Sequence, residues 1–264
     1  MWQRIVLGLG LVLVSGAVLA AKPAPMPQEH MIGVRVSIDA AGKVTSAQPS
    51  DPAAIAALNQ AATEIARKLP FDPATKDGVA ATSETSLFML LALEPKANGQ
   101  FGIRLKKAVS GPDRSKSAPL IPPSYQQRGD RSAMIVISVD LRPDGSVDPA
   151  TIKPVLMELK VKSSFAEARY LDAIAASLRD SHYVLDKVAG TDVPARLTLP
   201  YKFGAGGQRQ RAGEEDADEK DKAKDGKPVE KKPTPEMRAE SLVPGVTLPK
   251  VRFTAPPEAP PAAS

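Results

Sequence analysis

In Met134-Ile135-Val136-Ile137-Ser138-Val139-Asp140-Leu141-Arg142-Pro143-Asp144-Gly145-Ser146-Val147, apolar residues occupy every second position from Ile135 to Leu141. An extended chain puts Ile135, Ile137, Val139 and Leu141 on one face and Val136, Ser138 and Asp140 on the other, the pattern of a half-buried strand. Arg142 through Gly145 then form a turn, with Asp-Gly supplying the positive dihedrals of a tight hairpin, and 146–155 return. A helix follows. Ser164-Phe165-Ala166-Glu167 reads as a capping box, and Leu171, Ile174, Ala175 and Leu178 share one helical face. Tyr183 and a closing strand ending at Phe203 complete the unit.

The same unit occurs earlier in the chain. Ile32, Val34, Val36, Ile38, Gly42 and Val44 match Ile135, Ile137, Val139, Leu141, Gly145 and Val147 at a constant offset, 145 − 42 = 103. Past the helix, Phe71 and Gly78 match Tyr183 and Gly190 at 183 − 71 = 112, so nine residues are inserted, placed in the longer second strand and the 160–164 loop of copy two. In copy one Asp51 is the expected helix cap and Pro52 its first position, with Ile55, Leu58, Ala62, Ile65 and Leu69 facing the sheet. The strand at 85–93 is apolar on both faces, and after Asn98-Gly99 the alternation of Phe101, Ile103 and Leu105 marks an added strand. The fold class expected is α+β, with two small ββαβ modules at 31–109 and 132–203, each an antiparallel sheet carrying one helix.

Ile38-Asp39-Ala40-Ala41-Gly42-Lys43-Val44, Phe71-Asp72-Pro73-Ala74 and Asp77-Gly78-Val79 resemble the C-terminal module of TonB-type energy transducers. That family reads as an alternating strand, an Asp-x-x-Gly-x-Val turn, a helix, Phe-x-Pro-Ala and a Gly before the last strand. Copy two keeps the hairpin, and Pro122-Pro123-Ser124-Tyr125 resembles the family's Pro-rich lead-in, but Phe-x-Pro-Ala has become Tyr183-Val184-Leu185-Asp186. The resemblance implies recognition of a short peptide from the cell envelope, in the family an outer-membrane transporter, by its addition as a strand beside the module's last one. Module one fills that place with its own added strand at 101–109. Module two runs into Gly204-Ala205-Gly206-Gly207, which leaves its edge open, although Pro200 removes one ladder donor. The partner-binding residues expected are Leu197, Thr198, Leu199, Tyr201 and Phe203, acting mostly through their backbone, with Leu199→Pro as the disrupting control.

The 264 residues are 42% hydrophobic but only 4% aromatic and contain no cysteine, which suits two small domains with unstructured segments and excludes disulfides, thiol catalysis and Cys-ligated zinc. Arg4, the apolar run 5–14 and the small residues through Ala20 read as a signal peptide, 1–20, cleaved after Ala20 for export to the periplasm. An uncleaved inner-membrane anchor is the alternative. The family's anchor carries a polar Ser and His face, and no His lies in this segment. A Pro-rich lead occupies 21–30, far shorter than the family's spacer.

The net charge of +5 sits in one place: 104–131 carries seven Lys and Arg against two Asp and Glu, while every other segment balances. Neutral modules argue against nucleic-acid binding. The basic 110–131 reads as a solvated linker, with contact to anionic lipid as the sharper alternative. Residues 204–264 read as a disordered tail, since 214–232 mixes charges with scarcely an apolar residue. Val246, Leu248, Val251 and Phe253 stand out within it, either as a docking strip for module two's edge or as part of the tail, and Pro249 favours the tail.

Catalytic and cofactor readings find little support. His30 sits in a module lead-in and His182 at a helix end, and Asp140, Asp144 and Asp148 flank a hairpin without the twelfth-position Glu of a calcium loop. No metal or cofactor is expected. The function expected is a non-enzymatic periplasmic adaptor that binds a peptide or protein segment by strand addition. The alternatives are an anchored energy transducer for outer-membrane transport, and a structural envelope protein whose modules pair with each other.

Overall fold

Alternating Val34, Val36 and Ile38 build an antiparallel hairpin of β1 (Gln28–Ile38) and β2 (Val44–Pro49). Asp39 shapes its turn by accepting hydrogen bonds from the Ala41 and Lys43 N–H groups, both at 2.9 Å. Gly42, at φ 81°, completes it; a Cβ there would run into the Phe71 carbonyl oxygen, so a glycine is what lets the later segment cross the turn. The computed structural model describes residues 28–95, 101–116, 119–121, 132–160, 163–203, 210–211 and 236–254. The expected signal peptide, most of the Pro-rich lead, Pro122 through Tyr125 and the charged stretch 214–232 lie outside the described residues.

The first helix, α1 (Ala56–Ala66), starts four residues later than Pro52 and has no side-chain cap. Asp51 closes a local turn instead: its carboxylate accepts from the Ala53 N–H at 2.9 Å, and its carbonyl accepts from Asn59 Nδ2 at 2.8 Å. Ile55 is consequently outside the helix and 58% exposed, while Leu58 and Ala62 are buried. Short strands β3 (Phe71–Asp72), β4 (Ala74–Lys76) and β5 (Val79–Ala81) lead into β6 (Ser83–Pro95), which pairs from Ser83 to Leu93 with the whole of β1. The added strand, β7 (Phe101–Gly111), lies beside β6, and β8 (Asp113–Lys116) follows.

The second half repeats the order. β9 (Ala133–Asp140) pairs with β10 (Lys153–Leu159) after a 3-10 turn at Pro149–Thr151. The helix α2 (Ser164–Arg179) is capped by Ser163, one residue before the expected cap, whose hydroxyl accepts from the Ala166 N–H at 3.1 Å. β11 (His182–Val184), β12 (Asp186–Val188) and β13 (Thr191–Val193) precede β14 (Ala195–Phe203), which pairs with β9. His182 thus belongs to a strand rather than to the helix end. Gly145 matches Gly42 in detail: φ is 80°, a Cβ would meet the Tyr183 carbonyl oxygen, and its own carbonyl accepts from Tyr183 N–H as Gly42's does from Phe71 N–H. Asp77 and Ala189, each before a glycine, both hold a positive φ, 54° and 50°.

The described residues therefore form a mixed α+β structure, mostly antiparallel strands with two helices. Each helix covers its own core. One is built on Val34, Val36, Ile38, Leu58, Phe71 and Leu87, the other on Ile135, Ile137, Val139, Tyr170, Ile174 and Leu197. Tyr170 and Phe203 stack obliquely with ring centroids 4.7 Å apart.

Two segments expected to be unstructured contain strands among their described residues. The linker 110–131 begins with the end of β7 and with β8, which pairs with β11 in the second half. The tail 204–264 contains β15 (Gln210–Arg211), β16 (Arg238–Ser241), β17 (Val246–Thr247) and β18 (Lys250–Val251). β17 pairs with β4, and β18 with β3, both in the first half. Each half is thereby finished by a strand that reaches it from beyond the other's last strand, and β12 also pairs directly with β6.

Candidate protein-binding edge

β14 is held on its inner side by β9, from Arg196 opposite Asp140 to Phe203 opposite Ala133. Leu197 and Phe203 point into the second core and Leu199 is buried beside them. Tyr201 is partly buried, and burial raises the pKa of its hydroxyl, with Tyr183 adding to the effect and Arg114 opposing it. At the strand's start Arg196 grips Asp140 through Nε to Oδ1 at 2.7 Å and Nη2 to Oδ2 at 2.9 Å, a fork that raises the guanidinium pKa.

The direction of each main-chain group follows from the two-residue alternation. Ala195 O accepts from Leu141 N–H on the inner side, whereas Pro194 O accepts from Leu242 N–H on the outer side, at 2.8 and 2.9 Å. Even-numbered residues of β14 therefore direct their N–H and C=O outward. Arg196, Thr198 and Lys202 offer ladder donors at the edge, and Pro200 offers none. A proline at Leu199 would strike the inner ladder with β9, so Thr198→Pro, and not Leu199→Pro, is the substitution that tests the outer edge.

That edge is not open. β16 pairs with it, matching Ala195, Arg196, Leu197 and Thr198 to Ser241, Glu240, Ala239 and Arg238, and β15 pairs beyond with Tyr201 and Lys202. Among the described residues Leu199 and Pro200 are the gap between the two, as expected where a donor is missing. The vacancy expected at Leu197, Thr198, Leu199, Tyr201 and Phe203 is thus filled by the chain itself. The docking strip is Arg238–Ser241, with Met237 and Ala239 packed on the second core. Val246, Leu248, Val251 and Phe253 dock instead on the first half and the junction. The alternation Met237, Arg238, Ala239, Glu240 was the available signal for this strand.

The segment continues as a strap. Asp77 N–H donates to Gly245 O at 2.7 Å, Thr75 N–H to Thr247 Oγ1 at 2.9 Å, Val251 N–H to Ser110 Oγ at 3.1 Å and Arg252 N–H to Pro70 O at 2.9 Å. Four cations of the basic stretch are also engaged internally. Arg104 pairs with Glu94, Lys106 with Glu29 and Lys107 with Glu236. Arg114 donates from Nε to Ser181 Oγ at 3.1 Å and from Nη2 to Ser177 O at 3.2 Å, with its guanidinium 6.0 Å above the Tyr183 ring.

Among the described residues no group of three or more His, Asp or Glu is placed to hold a metal ion, and no helix is long and apolar enough to cross a membrane. No family model, curated protein or solved structure matches the chain.

Proposed function

We propose that this chain is a non-enzymatic adaptor of the cell envelope, exported to the periplasm, whose two halves are ββαβ modules of the kind found at the C-terminus of TonB-type transducers. Its recognition element is the outer edge of β14, and a peptide or protein segment binds there by taking the place of β16. The single observation that carries this reading is that the edge already accepts an extended strand in antiparallel register over four residues. Main-chain hydrogen bonds would give the affinity, and apolar residues at the Met237 and Ala239 positions would give the fit.

A cut between β15 and β16 tests it. A protease site is placed within 212–235 of the full chain, the purified protein is cleaved, and a labelled peptide of residues 236–254 is added. The nicked chain should exchange its own segment for the label and the intact chain should not. Glu240 N–H faces β14, as Leu242 N–H does, so a Glu240→Pro peptide should fail to compete. Equal capture of both peptides would end the strand-addition reading.

A structural role is the second reading, supported by the ladders that tie the halves together. A nicked chain that never exchanges its segment would leave that role in place of the adaptor. N-terminal sequencing of exported protein separates both from a tethered transducer: Ala21 as first residue means a free periplasmic protein.

A further inference from the structure

Asp186 opens β12 at the seam where the second half joins β6, and its side chain is completely buried. Neither carboxylate oxygen has a partner in good hydrogen-bond geometry, the nearby Thr85 hydroxyl giving only a weak interaction, and the Ser83 hydroxyl of β6, also buried, has none either. The register that sets Lys187 opposite Glu84 and Val188 opposite Ser83 brings Asp186 alongside Thr85. At the 112 offset its counterpart in the first half is Ala74, fully buried in a small apolar cluster with Val188 and Val193. A position that is apolar in one half therefore holds an ionisable group in the other.

We propose that Asp186 is a proton-operated latch: the β12–β6 seam closes around a neutral carboxyl and loosens when that carboxyl ionises. The charged groups on the strands around it offset an ionised form only in part. Arg35 on β1 donates from Nη2 to Leu185 O at 2.9 Å and from Nη1 to Ser86 Oγ at 3.4 Å, and lies 3.6 Å from Glu84 on β6. Its charge is thus shared with a neighbouring carboxylate. Lys187 on β12 and Glu84 are half-buried, and Lys76 on β4 and Asp192 on β13 are exposed.

Burial pushes the Asp186 pKa up to about 7 from 3.8, against smaller lowering effects of the Thr85 hydroxyl and the Arg35 charge. Because the folded value is the higher one, the closed seam binds the proton more tightly than the unfolded chain does. Its contribution is complete below about pH 4 and is lost as pH rises through about 7. The seam itself is short, two residue pairs and the Ala189 N–H to Thr82 O bond at 2.8 Å. Loss of one stabilising group should therefore be felt there before it is felt in either core. The latch does not depend on what the β14 edge binds.

The test uses the full chain from pH 5 to 8.5. Carboxyl carbon NMR follows Asp186, while amide hydrogen exchange, corrected for the intrinsic pH dependence, follows Ala189 at the seam and Val36 and Ile137 in the cores. The expected result is a midpoint near 7, with Ala189 protection falling at least about tenfold between pH 5.5 and 8, the effect of one pKa unit, while core protection holds. Asp186→Asn, which keeps the shape of the neutral acid, should abolish the pH dependence at Ala189. Should Asn not fold, Asp186→Ala copies the Ala74 arrangement and should do the same. A midpoint near 4, or pH-independent protection of Ala189 in the native chain, overturns the latch.

Discussion

The hairpin β12–β13 of the second half lies directly on β6, but its counterpart β4–β5 does not reach β14. The tail stands between them, with β16 laddered to β14 and β17 to β4. The two halves are thus joined unequally. Where the contact is direct it is two residue pairs long and holds a buried acid; where the strap intervenes, one strand of it ladders to each half. A second inequality follows from the first. β6 is completed by β7, an 11-residue strand that comes next in the chain, while β14 is completed in pieces, by two residues of β15 and four of β16. Nearby completion leaves nothing for a partner, whereas distant completion leaves an edge that another strand can contest.

Ending the chain after residue 235 should break this contrast most severely. Outer-facing amides of β14, at Arg196 and Thr198, should lose exchange protection, and Leu197, which faces β9, should keep more of it; uniform loss across β14 would mean that the second core depends on the strap. The first half should suffer as well, since Val251 packs in its core.

The next effect is in the cores. Phe71→Ala and Tyr183→Ala remove equivalent buried rings, and each should cost about 3–5 kcal/mol in denaturant unfolding. Unequal costs would show that the cores do not carry equal shares. Gly145→Ala meets both a positive φ and the Tyr183 carbonyl, so a loss of more than about 1 kcal/mol is expected, and Gly42→Ala should match it. Smallest are the caps. Ser163→Ala should cost about 1 kcal/mol, and Asp51→Ala less, because Asp51 closes a turn before α1 rather than capping it.

The outgoing strands, turn glycines and helices of both halves were legible because their signals are local: alternation at Ile135 through Leu141 and a glycine at the turn need only a few neighbouring residues. The second return strand was expected at 146–155 but ladders with β9 over Lys153–Leu159, because a 3-10 turn at Pro149–Thr151 comes first. Helix starts were less so. Asp51-Pro52 carries a sound cap pattern, but a turn used it, and α1 began at Ala56. β16 was missed for a different reason. Its alternation, Met237 and Ala239 against Arg238 and Glu240, is too short to stand out from solvated chain, and its partner lies some 40 residues away in sequence. Asp186 escaped notice because an acid in a short strand ordinarily faces water. The comparison of copies did flag its position, as the place where Ala74 becomes an acid.

The pairing of Lys250–Val251 with Phe71–Asp72 also sets an order of events during synthesis. At about 5–20 residues per second the ribosome takes roughly ten to forty seconds to travel from one to the other. For that interval Phe71, though already made, lacks the strand that will cover it. The earlier half of the protein is thus the later to mature, and its last strand pairing waits until residues 250–251 have emerged.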